Sequence, residues 1–256
     1  MDIKNKVAVV TGGASGIGEA TVHRYLSLGA SVAIFDMSKA SGIEPQPEYK
    51  DRVRYYSVDV SNEDDVRSAI EETVSRFGGV HICNNFAGIV YGSKLVSKTG
   101  VHKLKDFGNV LKINLIGTFN VMRLIAEQMA RQEPISGDGD RGVIINTSSI
   151  AAFEGQIGQV AYAASKGGVV GMTLPAARDL SEVGIRVNTI VPGLVQTPLF
   201  DSLPAPAYEA LSKSPLFPKR LALADEVARL CQFIVESDYT NGECIRIDAG
   251  LRMQPK

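Results

Sequence analysis

Val7-Ala-Val-Val-Thr11-Gly12-Gly13-Ala14-Ser15-Gly16-Ile17-Gly18 runs from a short β-branched stretch, through a glycine-rich turn, into a helix-like segment. A strand followed by a glycine turn and a helix is the context in which such a turn cradles a pyrophosphate. Gly12 allows the tight turn, Gly16 lets the backbone approach the anion, and Gly18 permits close packing of helix on strand. Ser15 and Ile17 fall at the helix N-terminus, whose first N–H groups have no partner within the helix. The spacing is Gly-x-x-x-Gly-x-Gly, not the commoner Gly-x-Gly-x-x-Gly, so the turn needs support from the rest of the chain.

Outward from this stretch the same alternation continues. Strands are expected at Lys6–Val10, Ser31–Phe35, Val53–Ser57, Val80–Asn84, Val143–Asn146, Ile185–Ile190 and Cys244–Ile247. Amphipathic helices are expected at Gly16–Leu28, Glu63–Phe77, Phe107–Gln132, Val160–Leu180 and Ala224–Glu236. Nearly continuous apolar strands separated by helices predict an α/β fold, a single-domain Rossmann-like doubly wound parallel sheet of about seven strands with helices on both faces. Ser136-Gly-Asp-Gly-Asp140 reads as a surface loop, too short for a linker. From Pro192 to Pro218 six prolines are interspersed with Leu194, Leu199, Phe200, Leu203, Leu211, Leu216 and Phe217. So long an irregular stretch reads as a substrate loop, its apolar content suiting an apolar substrate portion, although a packed excursion that touches no ligand is the plainer alternative.

The bulk composition narrows the partner. Of 256 residues, 45% are hydrophobic and 21% charged, ordinary globular usage, and the formal net charge is -1. That balance offers no electrostatic attraction to nucleic acid or an anionic membrane surface, so the expected partner is a small molecule. No apolar run reaches membrane-spanning length, and the N-terminus shows no secretory pattern. Cys83, Cys231 and Cys244 lack Cys-x-x-Cys spacing and read as buried reduced thiols. His23, His81 and His102 are scattered and read as surface or capping residues, with no metal site implied.

Two further features carry chemistry. Asp36 ends the second strand, 18 residues after Gly18, where a carboxylate can accept both adenosine-ribose hydroxyls and repel a 2'-phosphate. With Ala14 supplying no base to the glycine loop, it favours NAD over NADP; Lys39 is a nearby base, and a simple cap after the strand is the duller reading of Asp36. Tyr162 and Lys166 lie four apart, on one face of a helix, so an ammonium can stand beside a phenol and favour its ionised form. Lowering a phenol pKa by ~2 to 3 units takes about 3 to 4 kcal/mol. Taken alone, that pair also suits a solvated helix face. Ser148 and Ser149 stand at the end of the fifth strand, either one placed to bond a substrate oxygen or simply to end the strand.

Thr11-Gly-x-x-x-Gly-x-Gly18, Asp59-Val60, Asn85-Phe-Ala-Gly88, Asn114, Ser149, Tyr162-x-x-x-Lys166 and Pro192-Gly193 resemble, in order and spacing, the short-chain dehydrogenase/reductase family over nearly the whole chain. The resemblance implies an NAD-dependent oxidoreductase acting on a secondary alcohol or ketone. In it Tyr162 is the general acid/base, Lys166 lowers its pKa and binds the nicotinamide ribose, and Ser149 orients the substrate oxygen. It assigns Asn114 a fourth catalytic role, its backbone carbonyl anchoring a water in a proton relay. Asp59 would bond the adenine amino group and the Val60 backbone the ring. Asn85, Phe86, Ala87 and Gly88 would form the turn beside the cofactor, Phe86 standing where smaller residues are common. Pro192, Gly193, Val195 and Thr197 would meet the nicotinamide half.

Arg141-Gly-Val-Ile-Ile-Asn-Thr, Ala151-Ala-Phe-Glu-Gly-Gln156, the stretch Tyr91 to Lys105 and the tail from Ile247 to Pro255 resemble a branch of the family that oxidises short or branched 3-hydroxyacyl-CoA thioesters and hydroxysteroids. That likeness makes Gln156 and Gln159 candidate substrate contacts. The alternatives are a 3-oxoacyl-carrier-protein reductase, a broad secondary-alcohol dehydrogenase, or a dehydrogenase fold used as a scaffold subunit. Family members commonly pair the Asn114 helix and the small-residue-rich Val160–Leu180 helix across a dimer face, implying a homotetramer. The expected location is the cytoplasm, with the mitochondrial matrix as the alternative.

Overall fold

In the computed structural model, residues 1–37, 47–98, 100–201 and 205–255 are described. Lys39, Leu203 and Pro204 lie outside them. The elements follow in the order β1 (Val7–Thr11), α1 (Gly16–Ser27), β2 (Ser31–Asp36), β3 (Val53–Ser57), α2 (Glu63–Phe77), β4 (Ile82–Asn85), β5 (Val96–Ser97), β6 (Gly100–Val101), α3 (Leu104–Leu111), α4 (Thr118–Ala130), β7 (Gly142–Thr147), α5 (Ala151–Glu154), α6 (Val160–Ser181), β8 (Ile185–Pro192), α7 (Pro198–Asp201), α8 (Ala205–Ser212), α9 (Ala224–Glu236) and β9 (Cys244–Ile247).

Seven strands pair in parallel in the order β3-β2-β1-β4-β7-β8-β9. The order reverses between β1 and β4, and a crevice opens at the carboxyl ends of the strands at such a switch point. Every residue of β1 and of β8 is buried, because helices cover both faces of the central strands. One apolar layer gathers Val22, Tyr25 and Leu26 of α1 with Val227, Cys231 and Ile234 of α9. The other gathers Val66 and Ile70 of α2, Val121, Ile125 and Met129 of α4, and Ala177 of α6. Each fully buried aliphatic side chain stabilises the fold by about 1.5–3 kcal/mol before entropy is counted. Helix α2 shows how local chemistry sets an end: the Asn62 side chain accepts from the amides of Asp64 and Asp65, and Gly78 closes the far end at φ 88°.

The structure departs from the sequence expectations in four places. The helix expected at Phe107–Gln132 begins at Leu104 and is broken by a π-helical turn at Lys112–Gly117. A Cβ on Gly117 would lie 2.6 Å from Val60 Cγ2, so the wider turn sits where helix and the end of β3 press closest. The stretch Tyr91 to Lys105 holds an antiparallel hairpin, Val96 opposite Val101, with both strands exposed. The expected loop from Pro192 to Pro218 contains two short helices, α7 opened by Pro198, whose fixed φ suits a first helical position. His102 is no surface residue: its ring packs against Tyr91 and Phe107, and both ring nitrogens are buried without a hydrogen-bond partner among the described residues.

Candidate active site

The glycine turn is held by what surrounds it. Gly12, at φ 63°, needs the left-handed region, and a Cβ there would stand 2.8 Å from the Ala87 nitrogen. A Cβ on Gly18 would meet the Gly12 carbonyl oxygen at 2.1 Å, so α1 packs directly on the turn. Across the crevice, a Cβ on Gly16 would meet Thr197 Cγ2 at 3.2 Å. The turns after β1, β4 and β8 therefore converge at the sheet's carboxyl edge. Thr11 strengthens the junction, its Oγ1 accepting from the Ala87 amide at 3.1 Å and its carbonyl from Phe86 at 3.2 Å.

Several observations fit a dinucleotide here. Ser15, the residue before α1, uses no side-chain cap, which leaves the first amides of the helix to an anion. The Asp36 carboxylate is drawn to the glycine turn, where Oδ2 accepts from the Ala14 amide at 3.1 Å. Asp59 Oδ1 takes both the Ser61 amide at 2.9 Å and its hydroxyl at 2.6 Å, and this bonding holds its carboxyl below the usual range. The Asn85 side chain is buried, donating to Asn146 Oδ1 at 2.9 Å, and so braces the turn that ends β4; the Val60 carbonyl accepts from Asn120 Nδ2 at 2.9 Å, which fixes the backbone whose amide is expected to meet the adenine ring. Pro192 ends β8, and the next residue, Gly193, packs against Asp248, while Val195 is buried and bridges to Ala222.

The reacting groups lie where β7 meets α6. Ser148 turns inward, its hydroxyl donating to the Lys166 carbonyl at 2.8 Å, which leaves Ser149 as the serine beside the Tyr162 phenol. The Ser149 hydroxyl also accepts from the Ala151 amide at 3.2 Å at the start of α5. Lys166 is buried; Nζ donates to the Thr147 carbonyl at 2.8 Å and stands 5.8 Å from the centre of the Tyr162 ring. Asn114 sits in the π turn with Oδ1 accepting from the Ile89 amide at 2.8 Å and Nδ2 donating to the Ile89 carbonyl at 2.9 Å and to Ser165 Oγ at 3.1 Å. It therefore ties the turn after β4 to the helix of Tyr162 and Lys166. Its main-chain carbonyl, assigned to a water by the resemblance, accepts from the Thr118 hydroxyl at 2.8 Å.

The electrostatics correct one expectation. In the unliganded chain burial pushes the Tyr162 pKa up, and the Ser149 hydroxyl offsets only part of that. The same burial pulls Lys166 down to about 8, because desolvation penalises whichever form is charged. The ammonium is spent on the Thr147 carbonyl at this distance from the phenol, so its influence on Tyr162 is weak in the unliganded chain.

Gln156 and Gln159, in the loop that leads into α6, line a groove of about 550 Å³ with Ser93 to Val96 and Ile157 to Val160. Sequence reading missed Thr11, Ile89 and Thr147, whose backbone or hydroxyl groups join the site's parts; a strand-ending threonine is the only signal, and it is a weak one. Among the described residues no three His, Cys, Asp or Glu side chains gather as metal ligands, and no helix is long and apolar enough to cross a membrane.

A parallel sheet with a glycine turn at its switch point and a Ser-Tyr-Lys set at the end of its fifth strand in chain order defines an oxidoreductase acting on CH–OH groups, of a class that uses nicotinamide cofactors. The chain belongs to the short chain dehydrogenase family, whose model matches residues 6–207. It is 49% identical to "3-hydroxyacyl-CoA dehydrogenase type-2" of Homo sapiens, over 99% of this chain and 97% of that protein. It is 50% identical to the protein of the same description from Drosophila melanogaster, over 99% and 100%. The solved structure of 3-hydroxyacyl-CoA dehydrogenase type-2 from Mycobacterium avium superimposes with a TM-score of 0.92 at 40% identity, covering 98% of each chain. A 3-oxoacyl-[acyl-carrier-protein] reductase FabG of Thermotoga maritima is 37% identical over 98% of this chain and 99% of its own length.

Proposed function

We propose that this chain is an NAD-dependent dehydrogenase of 3-hydroxyacyl-CoA thioesters, with hydroxysteroids and other secondary alcohols as further substrates. The observation that carries it is the placement of Ser149 beside the Tyr162 phenol and of buried Lys166 one helical turn further on, in a chain similar along its length to proteins described as 3-hydroxyacyl-CoA dehydrogenase type-2. The first amides of α1, Asp36, the turn Asn85 to Gly88 and the segment Pro192 to Thr197 would hold the dinucleotide, with Lys166 meeting the nicotinamide ribose. When bound, the cofactor accepts or gives the hydride. Ser149 donates to the substrate oxygen and fixes its position. Tyr162 takes the alcohol proton during oxidation and returns it during reduction. Lys166 would hold the nicotinamide ribose of a bound cofactor and, as a cation beside the phenol, would favour the ionised form of Tyr162.

Asp36 favours NAD and disfavours the NADPH-dependent reductase reading that the Thermotoga maritima relative raises. The substrate loop is the segment from Pro192 to Pro218, whose Leu216 and Phe217 are exposed. For assembly, exposed Leu104, Ile116 and Phe119 near the Asn114 helix and Phe153 and Leu174 near α6 favour burial against further copies in a homotetramer; a monomer in sedimentation at micromolar concentration would contradict it. The chain would work in the cytoplasm or the mitochondrial matrix. The test is NAD reduction with 3-hydroxybutyryl-CoA, 2-methyl-3-hydroxybutyryl-CoA, estradiol and simple secondary alcohols. The CoA thioesters are expected to give the highest kcat/KM, and absence of turnover with both of them overturns the reading.

A further inference from the structure

The segment that follows Ser149 is clipped to the chain's own last described residues. Ile157 donates its amide to the Pro255 carbonyl at 3.0 Å, and Gln156 Nε2 donates to the Gln254 carbonyl at 3.0 Å. Glu154 holds the clip from beneath, its carboxylate pairing with Arg246 at 2.9 Å and with Arg252 at 3.4 Å and accepting from the Met253 amide at 3.3 Å. Leu251 and Ile150 share a small core with Val191, so the tail packs beside the residue that follows Ser149.

This arrangement settles which way two amides point. A main-chain carbonyl accepts only, so the atom Gln156 turns to Gln254 is its NH2 group. A main-chain amide donates only, so the atom Gln159 turns to the Gln156 nitrogen, at 3.0 Å, is its oxygen. Among the described residues neither Gln156 Oε1 nor Gln159 Nε2 has a hydrogen-bond partner, and both side chains line the groove that runs beside Ser93 to Val96. The groove thus offers one acceptor and one donor, from residues three apart, the second of them one helical turn before Tyr162. A secondary amide carries the matching donor and acceptor, and apolar Leu95, Val96, Ile157 and Val160 suit its methylene neighbours.

We propose that the Gln156–Gln159 pair, set in orientation by the C-terminal tail, binds a secondary amide on the substrate's thiol handle, the first amide of a pantetheine arm. The proposal rests on the thioester reading above. Gln254 acts as a positioning residue through its main-chain carbonyl. The pantetheine can belong to coenzyme A or to an acyl carrier protein.

The experiment compares S-(3-hydroxybutyryl)-N-acetylcysteamine, which has one secondary amide, with the S-ethyl thioester of the same acid, which has none, and adds the CoA and acyl-carrier-protein thioesters to separate the two sources. The full chain is expected to favour the amide-bearing thioester in kcat/KM. That ratio should fall about threefold to tenfold, the worth of a neutral hydrogen bond, in a chain ending at Met253 and in Gln156→Met, and no further when the two changes are combined. Should the shortened chain fail to melt cooperatively, Gln156→Met in the full chain carries the same ratio. If both small thioesters are oxidised and the ratio is unmoved, or the two changes add, the inference is overturned while the thioester reading stands. If no thioester is oxidised, both fall together.

Discussion

Lys166 Nζ donates to the Thr147 carbonyl at 2.8 Å from a buried position, and burial draws its pKa from 10.5 to about 8. Its folded value thus lies below the unfolded one, so between about 8 and 10.5 the unfolded chain binds more protons and stability rises with pH. At full effect the window is worth about 3 kcal/mol. Chemical denaturation of the unliganded protein at several pH values, against Lys166→Met, is expected to show that rise in the parent and its loss in the variant.

Tyr162→Phe removes the proton-transfer group and keeps the ring. Turnover is expected to fall about 10²- to 10⁴-fold, the usual weight of general acid–base catalysis. With the ring and its packing kept, the melting temperature should move by no more than about 4 °C. A large drop in melting temperature with little loss of turnover would assign Tyr162 to structure instead.

Asp36→Ala tests the cofactor. Removing a carboxylate that accepts from ribose hydroxyls and repels a 2'-phosphate should cut the preference for NAD over NADP by about 10- to 100-fold in kcat/KM. Steady-state rates with both cofactors read it directly, and an unchanged ratio would leave Asp36 as the cap of the Ala14 amide alone.

Gly18→Ala places a methyl group 2.1 Å from the Gly12 carbonyl, a clash with backbone that no rotamer relieves. The cost is expected to exceed about 3 kcal/mol, and cofactor affinity should fall with it, since helix and turn must separate. Denaturant melts and cofactor titration follow the two losses.

His81 adds an acid-side dependence. Its Nδ1 accepts from the Val7 amide at 3.1 Å, and burial, with Lys6 nearby, lowers its pKa from 6.5 to about 4. A folded value below the unfolded one gives stability present above about 6.5 and lost as pH falls toward 4. With the ring partly open to solvent, about 2 kcal/mol is expected, and His81→Gln should flatten the slope.

The sheet was legible because its central strands are buried on both faces and so read as unbroken apolar runs; Val7–Thr11 and Ile185–Pro192 are the plainest. Glu63–Phe77 was legible to its last residue because Asn62 and Gly78 mark its ends. The Ser149, Tyr162 and Lys166 set was legible through its family spacing, since patterning alone left Ser148 and Ser149 open and allowed the Tyr162–Lys166 pair a solvated helix face. What the sequence hid were properties set by distant neighbours. Whether Lys166 faces Thr147 or Tyr162, whether the Asn85 side chain turns to Asn146, and which way the Gln156 amide points depend on partners far along the chain. The hairpin at Val96–Val101 left little trace, its exposed strands of two residues each being too short to show a period.

The wide turn at Lys112–Gly117 also acts as a phase shifter. Each helical residue turns the chain by about 100°, so one residue taken up there rotates α3 by that much relative to an unbroken continuation of α4. Val110 is the one buried residue of α3, so the phase of the turn decides which residue of that helix faces the interior. Deleting a single residue from the turn would swing the outward-facing Leu104 side toward the interior, carry Asn114 away from Ile89, and disturb the hairpin that α3 carries at its start. The local irregularity thus works as a gear between the catalytic edge of the sheet and the outer lip of the cleft.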